Sequence, residues 1–382
     1  MVFWNLLMLL LIFAYTPVAT LQFYLLLKNI LHKRIVAIKP RKEDRKVIVV
    51  TVTNGQNPAI VKKIVKDVDS FNSGTKQFVI KEYYDLNDYG CEMICVPKDY
   101  TTPNNSRKKM RALHYGINKL HEMGYDKETY IIHLDDDSFI DREYIEWVFS
   151  MDEAAGQGKI QLREYQHHLI STLADMGRVF VCDNLCRYFN SKGKPMEIHG
   201  EGLTIRADVE YEIGWDYGTY GAEDLMMGQN IHKHGYRFGF IPFNIYISPP
   251  TNTKDFYKQR RRWAYSLIWS IKEIRAIRPI ALYWLLYRYI TTWTGLVGLL
   301  ILPYTLSPFT PVNLPIWVYA ISVFNTISYF STYQYGAAKV KKRYMPIMLV
   351  MQLLVAAYEG LTFPFGLLFP PDKMSFDVIK KV

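Results

Sequence analysis

From Val2 to Leu27 the chain carries no charged residue, and about 20 apolar residues in a row suffice to cross a bilayer as a helix. Inside a bilayer every backbone N–H and C=O must be satisfied within the protein, so a run of this kind is restricted to helix. It has no basic start and no clean small-residue cleavage site. It therefore reads as a retained transmembrane anchor over residues 1–30 and not as a removed signal peptide. Lys28, Lys33, Arg34, Lys39, Arg41 and Lys42 follow it. Basic flanks stay on the cytosolic side, which predicts an outward N-terminus and a cytosolic domain after the helix.

The other end is apolar too. Stretches at 280–306, 312–334 and 345–369 are each long enough to span, and Lys339, Lys341, Lys342 and Arg343 lie between the last two. The expectation is an integral, multi-pass membrane protein with three transmembrane or re-entrant helices over 279–370 and a tail over 371–382. Glu359, Gly360, Pro364 and Gly366 interrupt the last stretch, and a re-entrant segment there would change the side of the C-terminus. The formal net charge of +10 would suit nucleic acid, anionic lipid or phosphate-bearing ligands. Much of it flanks apolar segments and no nucleic-acid motif accompanies it, so membrane lipids are the implied partner and nucleic acid is not.

Charge is concentrated between these ends, where residues 45–254 show the pattern of a soluble α/β domain. Val47-Ile48-Val49-Val50-Thr51-Val52 is a continuous β-branched run, as in a strand buried on both faces. A helical pattern with Ile60, Ile64, Val65 and Val68 follows, then strands at Phe78-Val79-Ile80 and Met93-Ile94-Cys95-Val96. Ser106 is placed to cap the next helix, whose stripe is Met110, Leu113, Ile117 and Leu120 and whose stop is Gly124. Tyr130 to Leu134 forms another strand. Strands alternating with helices predict a mostly parallel, doubly wound sheet, with ligands beyond the carboxyl ends of its strands. Cys91, Cys95, Cys182 and Cys186 form two C-x-x-x-C pairs, better explained as free thiols than as a zinc site.

Three constellations carry chemistry. Asp135-Asp136-Asp137 ends the strand at 130–134. Alternate side chains share a face there, so Asp135 and Asp137 can hold a hard divalent cation, Mg²⁺ or Mn²⁺, with diphosphate oxygens completing its shell. Gly221-Ala222-Glu223-Asp224 precedes a helix ending at Gly235. Acids at a helix start are favoured by the dipole alone, and a carboxylate there can also take a proton from a sugar hydroxyl. Gln259-Arg260-Arg261-Arg262-Trp263 lies on an amphipathic helix over 255–278, in which Phe256, Trp263, Leu267, Ile268, Ile271 and Ile274 are candidate interfacial anchors. Its arginines suit phosphate oxygens and its indole suits a sugar face.

The order D-x-D, E-D, Q-x-x-R-W, with an anchor before and apolar helices after, resembles the family 2 glycosyltransferases, inverting enzymes of GT-A fold that include cellulose, chitin and hyaluronan synthases. Within them the chain looks most like the Egghead-type β-1,4-mannosyltransferases. The matching segments are Val96-Pro97-Lys98-Asp99-Tyr100, Arg111-Ala112-Leu113, Ile132-His133-Leu134-Asp135, Thr172-Leu173-Ala174-Asp175, Ala222-Glu223-Asp224 and Asp255-Phe256 through Trp263. The resemblance covers about residues 45–270. It implies a GDP- or UDP-sugar donor and a lipid-linked or glycan acceptor.

The resemblance also implies roles. Asp85 would meet the nucleotide base, and Lys109 and Arg111 the donor phosphates. Asp135 and Asp137 would hold the metal, and Asp135 would also face the donor. Gly200 would let the backbone approach the substrate. Asp224 would be the general base, with Glu223 orienting it or the acceptor. Gln259 and Arg262 would border the diphosphate and Trp263 the acceptor. The reaction expected is hexose transfer with formation of a β-glycosidic bond. A processive polysaccharide synthase is the runner-up within enzymes, and a membrane-anchored sugar-nucleotide-binding protein is the non-catalytic alternative.

Overall fold

The computed structural model describes residues 2–31, 36–219, 221–291 and 314–371. Much of the expected span at 280–306, the basic residues Lys33 and Arg34, and nearly all of the tail over 371–382 lie outside the described residues.

The β-branched run becomes strand β1 (Lys46–Thr53), flanked in parallel by β2 (Lys76–Glu82) and β4 (Thr129–Asp135), with β3 (Glu92–Val96) parallel to β2 at the edge. Alternation along β1 feeds two layers. Val47 and Val49 face one, with Ile64 and Val68 of helix α2 (Pro58–Ser70), counting Val2–Leu31 as α1. Ile48 and Val50 face the other, with Leu113, Ile117 and Leu120 of α3 (Lys109–Glu122). Each such side chain contributes about 1.5–3 kcal/mol on burial, enough for one strand to hold a layer on either side.

The other half of the sheet corrects the expectation of a mostly parallel one. Its strands are β5 (Phe139–Ile140), β6 (Ala155–Leu162), β7 (Thr204–Arg206) and β8 (Phe238–Ile247), and the full order is β3-β2-β1-β4-β7-β6-β8-β5. β7 runs antiparallel to both β4 and β6, β5 runs antiparallel to β8, and β6 and β8 are parallel. The sheet is mixed. β7 is only three residues long and its alternation is too short to betray a direction. Helix α4 (Arg142–Ser150) covers this half with Tyr144, Ile145 and Val148.

Ser106 does not cap α3, which begins after Lys108 without a side-chain cap; its hydroxyl accepts the Gly218 N–H at 2.9 Å instead. Gly124 and Gly235 close their helices as expected, both at φ +83°.

Beyond the sheet come α5 (Leu169–Val181), a π-helical turn (Cys182–Cys186), α6 (Arg187–Asn190), α7 (Ala207–Ile213) and α8 (Glu223–Lys233). Then follow α9 (Thr253–Trp269), α10 (Ile271–Ile277), helical residues 279–291 (α11), α12 (Ile316–Val340), α13 (Tyr344–Gly360) and α14 (Thr362–Leu368). Among the described residues one helix, Asn5–Leu31, is long and apolar enough to cross a membrane. The stretch at 345–369 is broken at Leu361 into α13 and α14, where Glu359 and Gly360 interrupt the apolar run.

Helix α12 packs on α5. A Cβ at Gly336 would collide with the Met176 backbone of α5, and one at Gly177 would press on the Tyr333 ring. Small residues let the two backbones meet. Asn325 Nδ2 donates to Ile12 O at 3.0 Å and Ser328 Oγ to Ala19 O at 2.7 Å, tying α12 to α1 as well.

Candidate active site

A cavity of about 910 Å³ opens beyond the carboxyl ends of β1 and β4. It brings together Lys109, Asp135, Asp136, Asp137, Gly200, Glu223, Asp224, Gln259, Arg262 and Trp263. Two expected residues are not among its lining. Asp85 is buried and occupied by its own loop: Oδ1 accepts from Asn87 N and Nδ2 at 3.0 and 2.6 Å, and Oδ2 from the Tyr89 hydroxyl at 2.6 Å. Burial opposes ionisation, but these donors outweigh it and hold the carboxyl below its usual range. Arg111 pairs with Glu82 at 2.6 Å and donates to the carbonyl oxygens of Tyr100 and Pro97. Glu82 and Tyr84 line the cavity on this side in their place.

Two strained backbone positions deliver the central groups. Lys108, at φ +58°, immediately precedes Lys109, and Ala222, at φ +59°, immediately precedes Glu223 and Asp224. A residue with a Cβ pays about 1–2 kcal/mol in the left-handed region, and such strain concentrates where a site demands a particular direction. The Lys109 ammonium lies 2.6 Å from Asp135 and 3.4 Å from Glu223. Desolvation opposes its charge, but Asp135, Glu223 and Asp224 overcome this and keep it protonated. Asp136 accepts from Asn57 Nδ2 at 3.1 Å, joining the aspartate turn to the loop after β1.

Asp224 differs from the other acids. Desolvation first, then the negative charge of Glu223 and Glu201, lift its carboxyl to about 7 despite the lowering influence of Lys109. A carboxylate poised there is half ionised near neutrality and basic enough to take a hydroxyl proton. Gly200 is the backbone lid over this pair: a Cβ on it would lie 3.0 Å from Lys109 Nζ and 3.3 Å from Asp224 Oδ2.

Helix α9 sends its three arginines in different directions. Arg262 lines the cavity. Arg261 donates to Phe369 O at 3.1 Å. Arg260 is buried against Asp175 at 2.5 Å. Gln259 is buried and accepts from Arg260 at 2.8 Å. Trp263 lies under two guanidinium groups, Arg178 at 4.7 Å and Arg260 at 4.5 Å from its ring centre. The expected interfacial anchors Phe256, Leu267 and Ile274 are buried inside the protein, because this face of α9 and α10 is needed for the core.

Several cavity groups escaped the sequence reading. Cys182 Sγ stands 3.1 Å from His199 Nε2, and Glu201 lies 3.4 Å from His199 Nδ1 and 3.2 Å from Arg178. Burial alone would raise the Cys182 thiol, but Cys186 and His199 bring it down to about 5. Burial alone would lower His199, but Cys182 and Glu201 lift it to about 10. His199-Gly200-Glu201 is the one local signal for this group; the cysteine meets it only through the fold. All four cysteines are free thiols.

The aspartate turn supplies the hard oxygen donors that Mg²⁺ and Mn²⁺ prefer. No group of three His, Cys, Asp or Glu among the described residues could hold an ion unaided. Carboxylate oxygens of this kind bind Mg²⁺ in company with substrate phosphates and water.

Beta-1,4-mannosyltransferase egh of Drosophila melanogaster is 28% identical over 235 residues, covering 57% of this chain and 51% of the relative. Beta-1,4-mannosyltransferase bre-3 of Caenorhabditis elegans is 26% identical over 262 residues, covering 63% and 56%. The chain thus spans about half the length of the curated relatives it matches. Among solved structures, the mannosyltransferase PcManGT from Pyrobaculum calidifontis, in complex with GDP-Man and Mn²⁺, superposes with a TM-score of 0.57 at 16% identity. That match covers 95% of this chain and 99% of that one, a likeness of fold. The family model for glycosyl transferase family group 2 matches residues 130–358. That segment is more than half of the chain and runs from the strand bearing the aspartates through Asp224 and α9 to α13, so the chain belongs to glycosyl transferase family group 2.

Proposed function

We propose that this chain transfers a hexose, mannose from GDP-mannose, onto a hydroxyl of a lipid-linked or glycan acceptor, with inversion to a β-glycosidic bond. The observation that carries the reading is a carboxylate lifted to about 7, Asp224, in one cavity with the Lys109–Asp135 pair. The β-1,4-mannosyltransferase relatives and the GDP-Man complex of the structural neighbour favour mannose as the sugar.

In this reading Asp224 takes the proton of the acceptor hydroxyl as its oxygen attacks the anomeric carbon. Attack comes from the face opposite the leaving diphosphate, which inverts the anomer. Glu223 orients the acceptor beside the base. Lys109 and Arg262 place positive charge where the diphosphate leaves. Asp135 and Asp137 would hold Mg²⁺ or Mn²⁺, which when bound supplies further charge neutralisation to the diphosphate. Gly200 keeps the wall over Lys109 and Asp224 thin enough for the sugar to approach. Tyr84, which is exposed and lines the cavity, takes the place first given to Asp85 beside the base.

A multi-pass arrangement with a cytosolic catalytic domain completes the proposal. Leu10, Leu349 and Val350 present apolar surface outward, as lipid contact requires. Calorimetry of the purified protein with Mn²⁺ should show GDP-mannose binding about tenfold or more tighter than UDP-glucose or UDP-N-acetylglucosamine, a difference of about 1.4 kcal/mol or more. Tighter binding of a UDP-sugar would reassign the donor. Binding of none of them would sink the transferase reading.

A further inference from the structure

We propose that Glu359, at the break between α13 and α14, binds a hydroxyl of the acceptor and holds it for attack; this rests on the transfer reaction proposed above. The residue stands in an otherwise apolar stretch, where a carboxylate is costly and marks either a buried pair or a ligand site. It lines the same cavity as Asp135 and Asp224, together with Gln22 of α1 and Tyr329, Thr332 and Tyr333 of α12. The catalytic cavity therefore reaches into the apolar helices, and Glu359 is an acidic group on their side of it.

Its geometry has room for a partner. Tyr333 donates its hydroxyl to Glu359 Oε2 at 2.5 Å and fixes the carboxylate. The other oxygen, Oε1, lies 3.5 Å from Arg260 Nε. That nitrogen has no hydrogen-bond partner among the described residues, although the Arg260 side chain is only 8% exposed, whereas Glu359 is 30% exposed. On the cavity side, a ligand hydroxyl would donate to the carboxylate of Glu359, the partly exposed end of this pair. An ionised phosphate oxygen can accept from the arginine but cannot donate to the carboxylate, so the class of ligand is a sugar or other polyol headgroup.

The contacts connect this point to the base. Arg260 lies over Trp263, Arg178 lies over the same ring, and Arg178 pairs with Glu201, whose charge helps to raise Asp224. Trp263, expected to border the acceptor, thus touches both Arg260 beside Glu359 and Arg178 beside Glu201.

The test is two-substrate kinetics on the full chain in lipid vesicles, with GDP-mannose as donor and a panel of dodecyl β-glycosides as acceptors. Glu359→Gln should raise the acceptor KM by about tenfold to a hundredfold, the worth of a hydrogen bond to a charged group. Donor affinity by calorimetry should stay within about twofold. Tyr333→Phe, which keeps the ring against α5, should raise the acceptor KM by a smaller factor in the same direction. Unmoved acceptor KM in both variants, with transfer by the wild type intact, would overturn the role of Glu359 and leave only a tie between α13 and α9. Equal loss of donor binding would overturn it as well. A wild-type chain that binds no nucleotide sugar would instead remove the transfer reading on which the role stands.

Discussion

Asp224→Asn should cut transfer by about a hundredfold to ten-thousandfold, the usual worth of a general base, while donor affinity measured by calorimetry stays near its original strength. The substitution keeps the size of the side chain and removes its basicity. A base acts on the acceptor hydroxyl and has no need to touch the donor. The wild-type pH profile should carry the same signature. Because desolvation and neighbouring carboxylates lift Asp224 to about 7, the competent, ionised form is lost as pH falls through that value. kcat/KM should therefore rise from pH 6 to 8 with a midpoint of about 7 and then level off, and this limb should vanish in the variant. Normal turnover by Asp224→Asn would make the residue a helix-start carboxylate and nothing more. Loss of donor binding without unfolding would place it in the donor site.

Asp137→Asn should fail differently, with metal-dependent donor binding and turnover falling together. The aspartate turn offers hard oxygen donors, and a bound ion would take further oxygens from the diphosphate. Ion and diphosphate would then bind as one unit and be lost as one. The expected loss in turnover is about a hundredfold or more, the scale of removing one preorganised charge contact. Asp135→Asn should add a second effect, because it also takes away the 2.6 Å partner of Lys109. Calorimetry with and without Mn²⁺ checks both. Undiminished activity of the wild type in excess chelator would remove the metal from the account.

These two expectations rest on residues that the sequence already offered, and the reason is local. Asp135 ends a strand whose burial is written in its own composition, and Asp224 lies in the first turn of a helix whose stop, Gly235, is a single residue. Where a feature depends on its immediate neighbours, period and punctuation reveal it. The misplaced features depend on side-chain partners that no period reveals, whether in the same loop or far along the chain. Asp85 looks like a strand-end ligand until Tyr89 and Asn87 fold back onto it. Ser106 looks like a cap until Gly218 claims its hydroxyl. Arg260 is indistinguishable in sequence from Arg262, which lines the cavity, yet it is drawn inward by Asp175, eighty-five residues away. The antiparallel β7 is hidden because three residues carry too little pattern. Glu359 registered only as a flaw in an apolar span, since the cavity that gives it a use is assembled from α1, α9, α12 and α13 together.

The central claim, inverting transfer of mannose from its nucleotide, is tested most directly by the linkage in the product. Purified protein in lipid vesicles would be incubated with GDP-mannose, Mn²⁺ and a dodecyl glycoside, and the anomeric configuration of the new bond read by NMR from its one-bond carbon–hydrogen coupling. The account predicts a single mannosyl residue in β linkage from the α-linked donor. An α-linked product, or no mannosyl product where a UDP-sugar gives one, would contradict it.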